Sequence, residues 1–377
     1  MIKRIKKMDK PLLITTIILF VFGLIMILSA SSMESYARYN FSPYHYFFRQ
    51  LIFLIIGCVC FFVVTIFPTK NYKKISTFLI VLIIISLVGV LIYGYTANNA
   101  ASWYKIGPVT IQPSEFAKLA IIIYMATYYD QHKHDFDNQW IVIKPLLFIV
   151  IITLLIAIEP DLGTAIITTF LALMIFYAVP IDKKNRMTFN KILIGGVTIV
   201  LIVLITAGSK FLKSYQLERF NFLDPCERYQ EDSGYQLCNS LIAFKNGGIT
   251  GQGLGNSTQK YLYLPESYTD FIYAIIVEEW GLLVGIIILI LYLFILFRII
   301  KIARNASSIR NSLIAYGAFS YILIHIMVNL LGITGCMPLT GVPLPFLSYG
   351  GSYAISLMIS MGLVQRVSIE SNNKENK

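Results

Sequence analysis

Charged and amide side chains recur at the edges of long apolar runs. Arg49 and Gln50 open one run, and Glu115 and Lys118 open another. Glu159 and Asp161 close a third, and Asp270 opens a fourth. Such groups are costly near hydrocarbon, so they usually face a cavity or each other. Glu115 and Lys118 are three apart, which puts them on one helix face and lets them pair. A carboxylate at a helix start can act as a general base. Cations beside it can neutralise a departing anion. A ring of interfacial charges touching headgroups explains any one of these residues. Convergence from four runs points to a shared cavity.

Glu278 and Glu279 lie further along the run that Asp270 opens. At 100° per residue, Glu279 points away from Asp270 and Glu278 stands about 80° round. They cannot all line one wall, so Glu279 reads as structural and Glu278 stays open. Trp103 suits either an interface anchor or a sugar-stacking platform. Several patterns are decoys. Ser257-Thr-Gln-Lys260 fits S-x-x-K without a following K-T-G. Gly251-Gln-Gly-Leu-Gly255 is not a dinucleotide fingerprint. His132 and His134 are two apart, the wrong spacing for one helix face. No C-x-x-C pair indicates a metal or redox site. Cys226 and Cys238 are close enough in sequence to pair, without demanding it.

The elements that position these residues are membrane spans. The chain has 377 residues, 56% hydrophobic and 14% charged. Soluble domains carry about 25% charged residues. Mean hydropathy is +0.69, too apolar for a wetted surface. Apolar runs predict an all-α integral membrane protein with spans near 11–30, 47–67, 76–95, 116–128, 144–158, 162–179, 190–207, 271–297, 312–334 and 350–365. The first run is too long for a cleavable signal. The net charge of +11 could suggest nucleic acid, but the positives cluster between spans, which sets orientation instead. The basic segments 3–10, 70–74, 183–191, 298–310 and the tail from Arg366 all fall on one side when both termini are cytoplasmic. One polytopic domain, 1–377, is expected: a basic N-terminus (1–10), a large extracytoplasmic loop (209–270) and a cytoplasmic tail (366–377). The other extracytoplasmic features are the loop 95–114, the turn 159–163 and the Pro/Gly-rich loop 335–351.

The extracytoplasmic motifs carry a resemblance. They are Ser102-Trp-Tyr-Lys-Ile-Gly-Pro-Val-Thr-Ile-Gln-Pro-Ser-Glu-Phe-Ala-Lys118, Glu159-Pro-Asp-Leu-Gly-Thr-Ala165, Gly247-Gly-Ile-Thr-Gly-Gln-Gly-Leu-Gly-Asn256, Leu264-Pro-Glu-Ser-Tyr-Thr-Asp-Phe271 and Pro343-Leu-Pro-Phe-Leu-Ser-Tyr-Gly-Gly-Ser352. Together, and in order along nearly the whole chain, they resemble the SEDS family (shape, elongation, division and sporulation). Residues 255–266 and 338–345 are most similar to its division branch. An elongation or sporulation role is the alternative within the family.

The resemblance implies a peptidoglycan glycosyltransferase of the bacterial cytoplasmic membrane. Such an enzyme polymerises lipid II beside a class B penicillin-binding protein and, in division, other divisome proteins at the septum. It implies that Asp270 is the catalytic base. Arg49, Gln50, Trp103, Gln112, Glu115, Lys118, Asp161, Arg219, Glu266 and Ser348 are substrate-binding candidates. Arg49, Lys118 and Arg219 are candidates to face a pyrophosphate. Direct displacement assisted by one base inverts the sugar carbon, whereas retention needs a second carboxylate, for which Asp161 and Glu115 are candidates. No cofactor is required, no metal ligands are assigned, and a divalent cation is compatible. Two departures stand out. Tyr268 replaces the family's usual histidine, and Trp103 lacks the usual preceding Arg or Lys. The rival functions are a lipid II flippase and a non-catalytic scaffold.

Overall fold

The structure is a computed structural model that describes residues 7–97, 100–107, 109–191, 193–195 and 222–372. Its helices are α1 (Lys10–Tyr39), α2 (His45–Ile66), α3 (Tyr72–Tyr93), α4 (Pro113–Gln131), α5 (Gln139–Ile158) and α6 (Leu162–Ala178). After these come α7 (Asp232–Gly247), α8 (Ile272–Arg304), α9 (Ile309–Ile333) and α10 (Gly351–Asn372). Residues 183–191 are also helical. Most of the expected seventh span, and Arg219, lie outside the described residues.

Among the described residues, seven helices are long and apolar enough to cross a membrane: α1, α2, α3 with its leading turn, α5, α8, α9 and α10. α6 is apolar and shorter, with 17 residues. α1 shows how sequence sets an end. Asp9 caps it by accepting from Leu12 N at 3.0 Å, Pro11 occupies its first turn, and Asn40 closes it in the left-handed region.

Burial sorts the bundle. α2, α3 and α5 leave apolar side chains such as Ile55, Ile85 and Leu154 exposed, as lipid-facing helices do. α4, α9 and α10 form the centre, with α10 packed on α2 and α9 packed on α4, α6 and α8. α4 corrects the expected short run 116–128. Glu115 and Lys118 interrupt its hydropathy, yet the helix runs from 113 to 131 and is buried on nearly every side. Protein rather than lipid surrounds it, so its polar residues are tolerated.

A second correction concerns fold class. The segment expected as loop contains a three-stranded antiparallel sheet, β1 (Tyr95–Ala97), β2 (Ala100–Ile106) and β3 (Val109–Ile111). Trp103 pairs with Tyr95, and Tyr104 pairs with Ile111. Thr, Val, Ile and aromatic residues favour such a pleated surface. The Tyr104 hydroxyl anchors the sheet to α3 by donating to Ser86 O at 2.8 Å.

α8 is not one continuous helix. Gly281 sits at φ 81° and breaks it. The segment 248–253 lies against the break: Gln252 N donates to Glu278 O at 3.0 Å and Leu282 N donates to Gly248 O at 2.9 Å. A Cβ at Gly281 would overlap the Ile249 carbonyl oxygen, and one at Gly251 would overlap Glu279 O. Gly281→Ala therefore meets both a disfavoured φ and a backbone clash. The expected result is a loss of at least about 2 kcal/mol, read as a lower thermal midpoint of the detergent-solubilised protein.

The described loops fall at two ends. One end carries the sheet, the turn 159–161, the segment 222–271 and the loop 334–350. At the other, Arg298 pairs with Asp9, and Thr69 N donates to Glu370 at 2.9 Å. The described basic segments gather at this second end.

Candidate active site

Asp270 lies two residues before the first residue of α8, next to its cap Phe271, and is 7% exposed. Its backbone oxygen accepts from Asn329 Nδ2 of α9 at 2.7 Å, and the same amide donates to Val342 O at 2.7 Å. One side chain thus ties the start of α8 to the loop after α9. The Thr269 hydroxyl lies 2.9 Å from Asp270 Oδ1 and 2.9 Å from Glu266 Oε2. The Thr269 hydroxyl therefore stands between the two carboxylates and has one proton to share between them. Glu266 is thus a second carboxylate beside Asp270. A Cβ built on Gly341 would sit 3.9 Å from Asp270 Oδ2, which places the 335–350 loop beside the acid.

That loop is pinned from several sides. Gly350 N donates to Gln50 Oε1 at 3.2 Å, and Gln50 Nε2 reaches Ser348 O at 3.5 Å. Ser348 Oγ accepts from Leu344 N at 2.8 Å. Gln50 and Ser348 are thus engaged in shaping the loop. Tyr349 N donates to Tyr268 O at 2.9 Å. The rings of Tyr268 and Tyr46 are 4.5 Å apart, and Tyr349 lies edge-on to Tyr46 at 5.1 Å. Burial and the Glu266 charge raise the Tyr268 phenol above its ordinary value, so it stays protonated. Arg49 is half-buried within electrostatic reach of Tyr349.

A second group lies along the sheet. Gln112 Nε2 donates to Asp161 Oδ2 at 3.1 Å, while Asp161 Oδ1 caps α6 by accepting from Thr164 N at 3.0 Å. Gln112 N donates to Ser352 Oγ at 3.0 Å. Trp103 is half-buried on β2. Next to it, the Ser102 hydroxyl donates to Glu159 O at 3.4 Å.

The Glu159 carboxyl is buried, and neither oxygen has a hydrogen-bond partner among the described residues. Burial, with Asp161 adding to it, pushes this carboxyl up to about 8. The neutral acid is thus the native form at low pH, and ionising it costs stability. The protein should lose stability as pH rises from about 4.5 towards about 8 and then level off. Glu159→Gln should flatten that part of a midpoint-against-pH curve and raise the midpoint at pH 8.

A third group is enclosed. Lys118 Nζ donates to Glu115 Oε1 at 2.8 Å and lies 3.1 Å from His325 Nε2. The Tyr321 hydroxyl reaches Glu115 Oε2 at 3.3 Å and Ser356 Oγ at 2.9 Å. The expected Glu115–Lys118 pair is present, but Lys118 has no exposed surface. Its charge is directed at Glu115 and His325 in this structure. His325 and Asn329 are four apart on α9, so this group stands one turn from the tie to Asp270. Sequence reading passed over both. Two polar residues at that spacing inside an apolar run were the available signal.

Glu278 and Glu279 serve the adjoining loop. Glu278 accepts from the Ser257 hydroxyl, from Thr258 Oγ1 at 2.9 Å, from Gln259 N at 3.2 Å and from Asn246 Nδ2 at 2.9 Å. Glu279 pairs with Lys260 at 2.8 Å and accepts from Ser29 at 2.7 Å. The S-x-x-K decoy is therefore a structural clasp. A disulfide joins Cys226 to Cys238. Among the described residues, no three His, Cys, Asp or Glu are grouped to hold a metal.

Residues 10–373 match the cell cycle protein family of FtsW, RodA and SpoVE. The chain belongs to that family. A Bacillus subtilis (strain 168) relative, "Probable peptidoglycan glycosyltransferase FtsW", is 37% identical over all of this chain and 94% of its own length. Stage V sporulation protein E of the same organism is 36% identical over 96% of each chain. Two solved structures share the fold. A chain from a study of polymerization and crosslinking by a peptidoglycan synthase complex superposes with TM-score 0.76 at 23% identity, covering 97% of this chain and 98% of that one. The rod shape determining protein RodA of Thermus thermophilus gives 0.65 at 22% identity over 96% of both chains. This SEDS-type fold places the family motifs of the sequence at one end of the bundle.

Proposed function

We propose that this chain is a peptidoglycan glycosyltransferase that polymerises lipid II at the outer face of the bacterial cytoplasmic membrane. The observation that supports it best is Asp270: an acid at a helix start, beside a second carboxylate and a Gly/Pro-rich loop pinned by Gln50 of α2, Tyr292 of α8 (its hydroxyl donating to Pro345 O) and Asn329 of α9. Asp270 takes the proton from the attacking sugar hydroxyl, and the anomeric carbon inverts as the pyrophosphate leaves. Glu266 shares the Thr269 hydroxyl with the base. Arg49 and Arg219 neutralise the leaving group, while Lys118 supports the wall from behind. Trp103, Gln112 and Asp161 form the sheet-side boundary of the sugar site. Gln50 and Ser348 set the loop, and Glu115 holds Lys118.

In this reading the chain is one polytopic domain with ten spans. Both termini are cytoplasmic, and residues 209–270 form a large outer loop. The positives at the end opposite Asp270 support that orientation. A class B penicillin-binding protein crosslinks the strands. Relatives named FtsW support a divisome role at the septum over an elongation role.

Lipid II supplied to the purified chain with such a partner should yield polymer. Movement of lipid II across vesicles without polymer would turn the reading to a flippase. The enclosed Glu115–Lys118–His325 group favours that second reading, since transporters place polar groups inside the bundle.

A further inference from the structure

The end opposite Asp270 contains a cavity of about 380 Å³ where α1, α8 and α10 meet. That volume lies within the range of small-molecule sites. Its lining includes Lys10, Arg298, Lys301, Asn305, Ser368 and Asp9. Three cations face one acid. Arg298 is committed to Asp9, which is itself fixed by Gln365: Asp9 N donates to Gln365 Oε1 at 2.8 Å, and Gln365 Nε2 donates to Asp9 O at 3.0 Å. Lys10 and Lys301 are exposed, and neither has an ion-pair partner among the described residues. The framework is therefore rigid and its two spare charges are uncommitted.

The flanks continue the pattern. One and two turns along α1 from Lys10 stand Ile14 and Ile17, both exposed. One and two turns back along α8 from Lys301 stand Phe297 and Phe294, also exposed. At helical spacing these residues lie on the same faces as the lysines. Two apolar ridges thus run from a basic cavity along the sides of the bundle. A soluble phosphate has no use for such ridges, whereas an amphiphile does.

We propose that this cavity holds the phosphate headgroup of an anionic membrane lipid, with Lys10 and Lys301 on the phosphate and the acyl chains along Ile14, Ile17, Phe294 and Phe297. Asn305 and Ser368 offer polar contacts to the rest of the headgroup. None of these residues belongs to the proposed active site, so failure of this idea leaves that reading intact.

The test uses the full chain in neutral detergent and follows the thermal midpoint during titration with dioctanoyl phosphatidylglycerol, dioctanoyl phosphatidylcholine or inorganic phosphate. Phosphatidylglycerol should stabilise the wild type, and phosphatidylcholine should not. Lys10→Ala with Lys301→Ala should weaken the apparent affinity roughly twenty-five-fold, about fivefold for each lysine. Lys10→Arg with Lys301→Arg should keep it, which separates loss of charge from damage to the fold. Lys73→Ala with Lys74→Ala, a basic pair elsewhere at this end, should leave it unchanged. An unaltered response in the Lys10/Lys301 alanine pair, or an equal loss in the Lys73/Lys74 pair, would overturn the site. Equal stabilisation by millimolar inorganic phosphate would reassign it to a soluble anion.

Discussion

Asp270→Asn should cut glycan polymerisation from lipid II by about 10²–10⁴-fold while leaving the fold and partner binding in place. The substitution keeps the shape of the side chain and removes its ability to take a proton. The Asp270 contact to Asn329 uses the backbone oxygen, so the tie between α8 and the 342 loop survives. Thr269 can still reach an oxygen at that position. The defect should therefore appear in the rate and not in the thermal midpoint. Product gels from the purified complex, read with a melting curve on the same sample, check both halves. Wild-type polymerisation by Asp270→Asn would remove the base. A large drop in midpoint would make the acid structural. The size of the effect is bounded, because positioning and charge neutralisation of the pyrophosphate remain.

Much of this site was legible because membranes make polar residues conspicuous. Asp270 and the Glu115–Lys118 pair stood out as charges at the edges of apolar runs, and i,i+3 spacing gave the pair its geometry. Glu279 read as structural from helical phase, and its bond to Lys260 agrees. Other features left weaker traces. The sheet at 95–111 is built of short strands whose pairing is a tertiary property, so it read as loop. Glu278 read as open because its partners, Asn246 at the end of α7 and residues 257–259 in the following loop, reach it only through tertiary folding. The break at Gly281 looks like an ordinary glycine in an apolar run. Its meaning comes from the backbone of 248–253 arriving beside it, a contact between elements that composition does not encode. Gln50 and Ser348, expected as substrate contacts, also hydrogen-bond within the loop beside Asp270, which a sequence does not reveal.

The second large effect concerns stability. Glu115→Ala should lower stability by about 3–5 kcal/mol, because Lys118 would be left charged in an enclosed site. Lys118→Ala should cost a similar amount by orphaning Glu115. Both residues are buried, and Glu115 is tied to Lys118 at 2.8 Å and approached by Tyr321 at 3.3 Å. Replacing both charges together, Glu115→Leu with Lys118→Met, should recover most of the loss, since buried ion pairs are often matched by apolar groups of similar volume. Thermal midpoints of the two single variants and the double variant measure the coupling directly. Activity of the rescued double variant then separates two roles. Polymerisation near the wild-type rate would mean the pair serves packing alone. Loss of polymerisation with stability restored would mean that the charges act through His325 and Asn329, one helical turn apart, on the placement of Asp270.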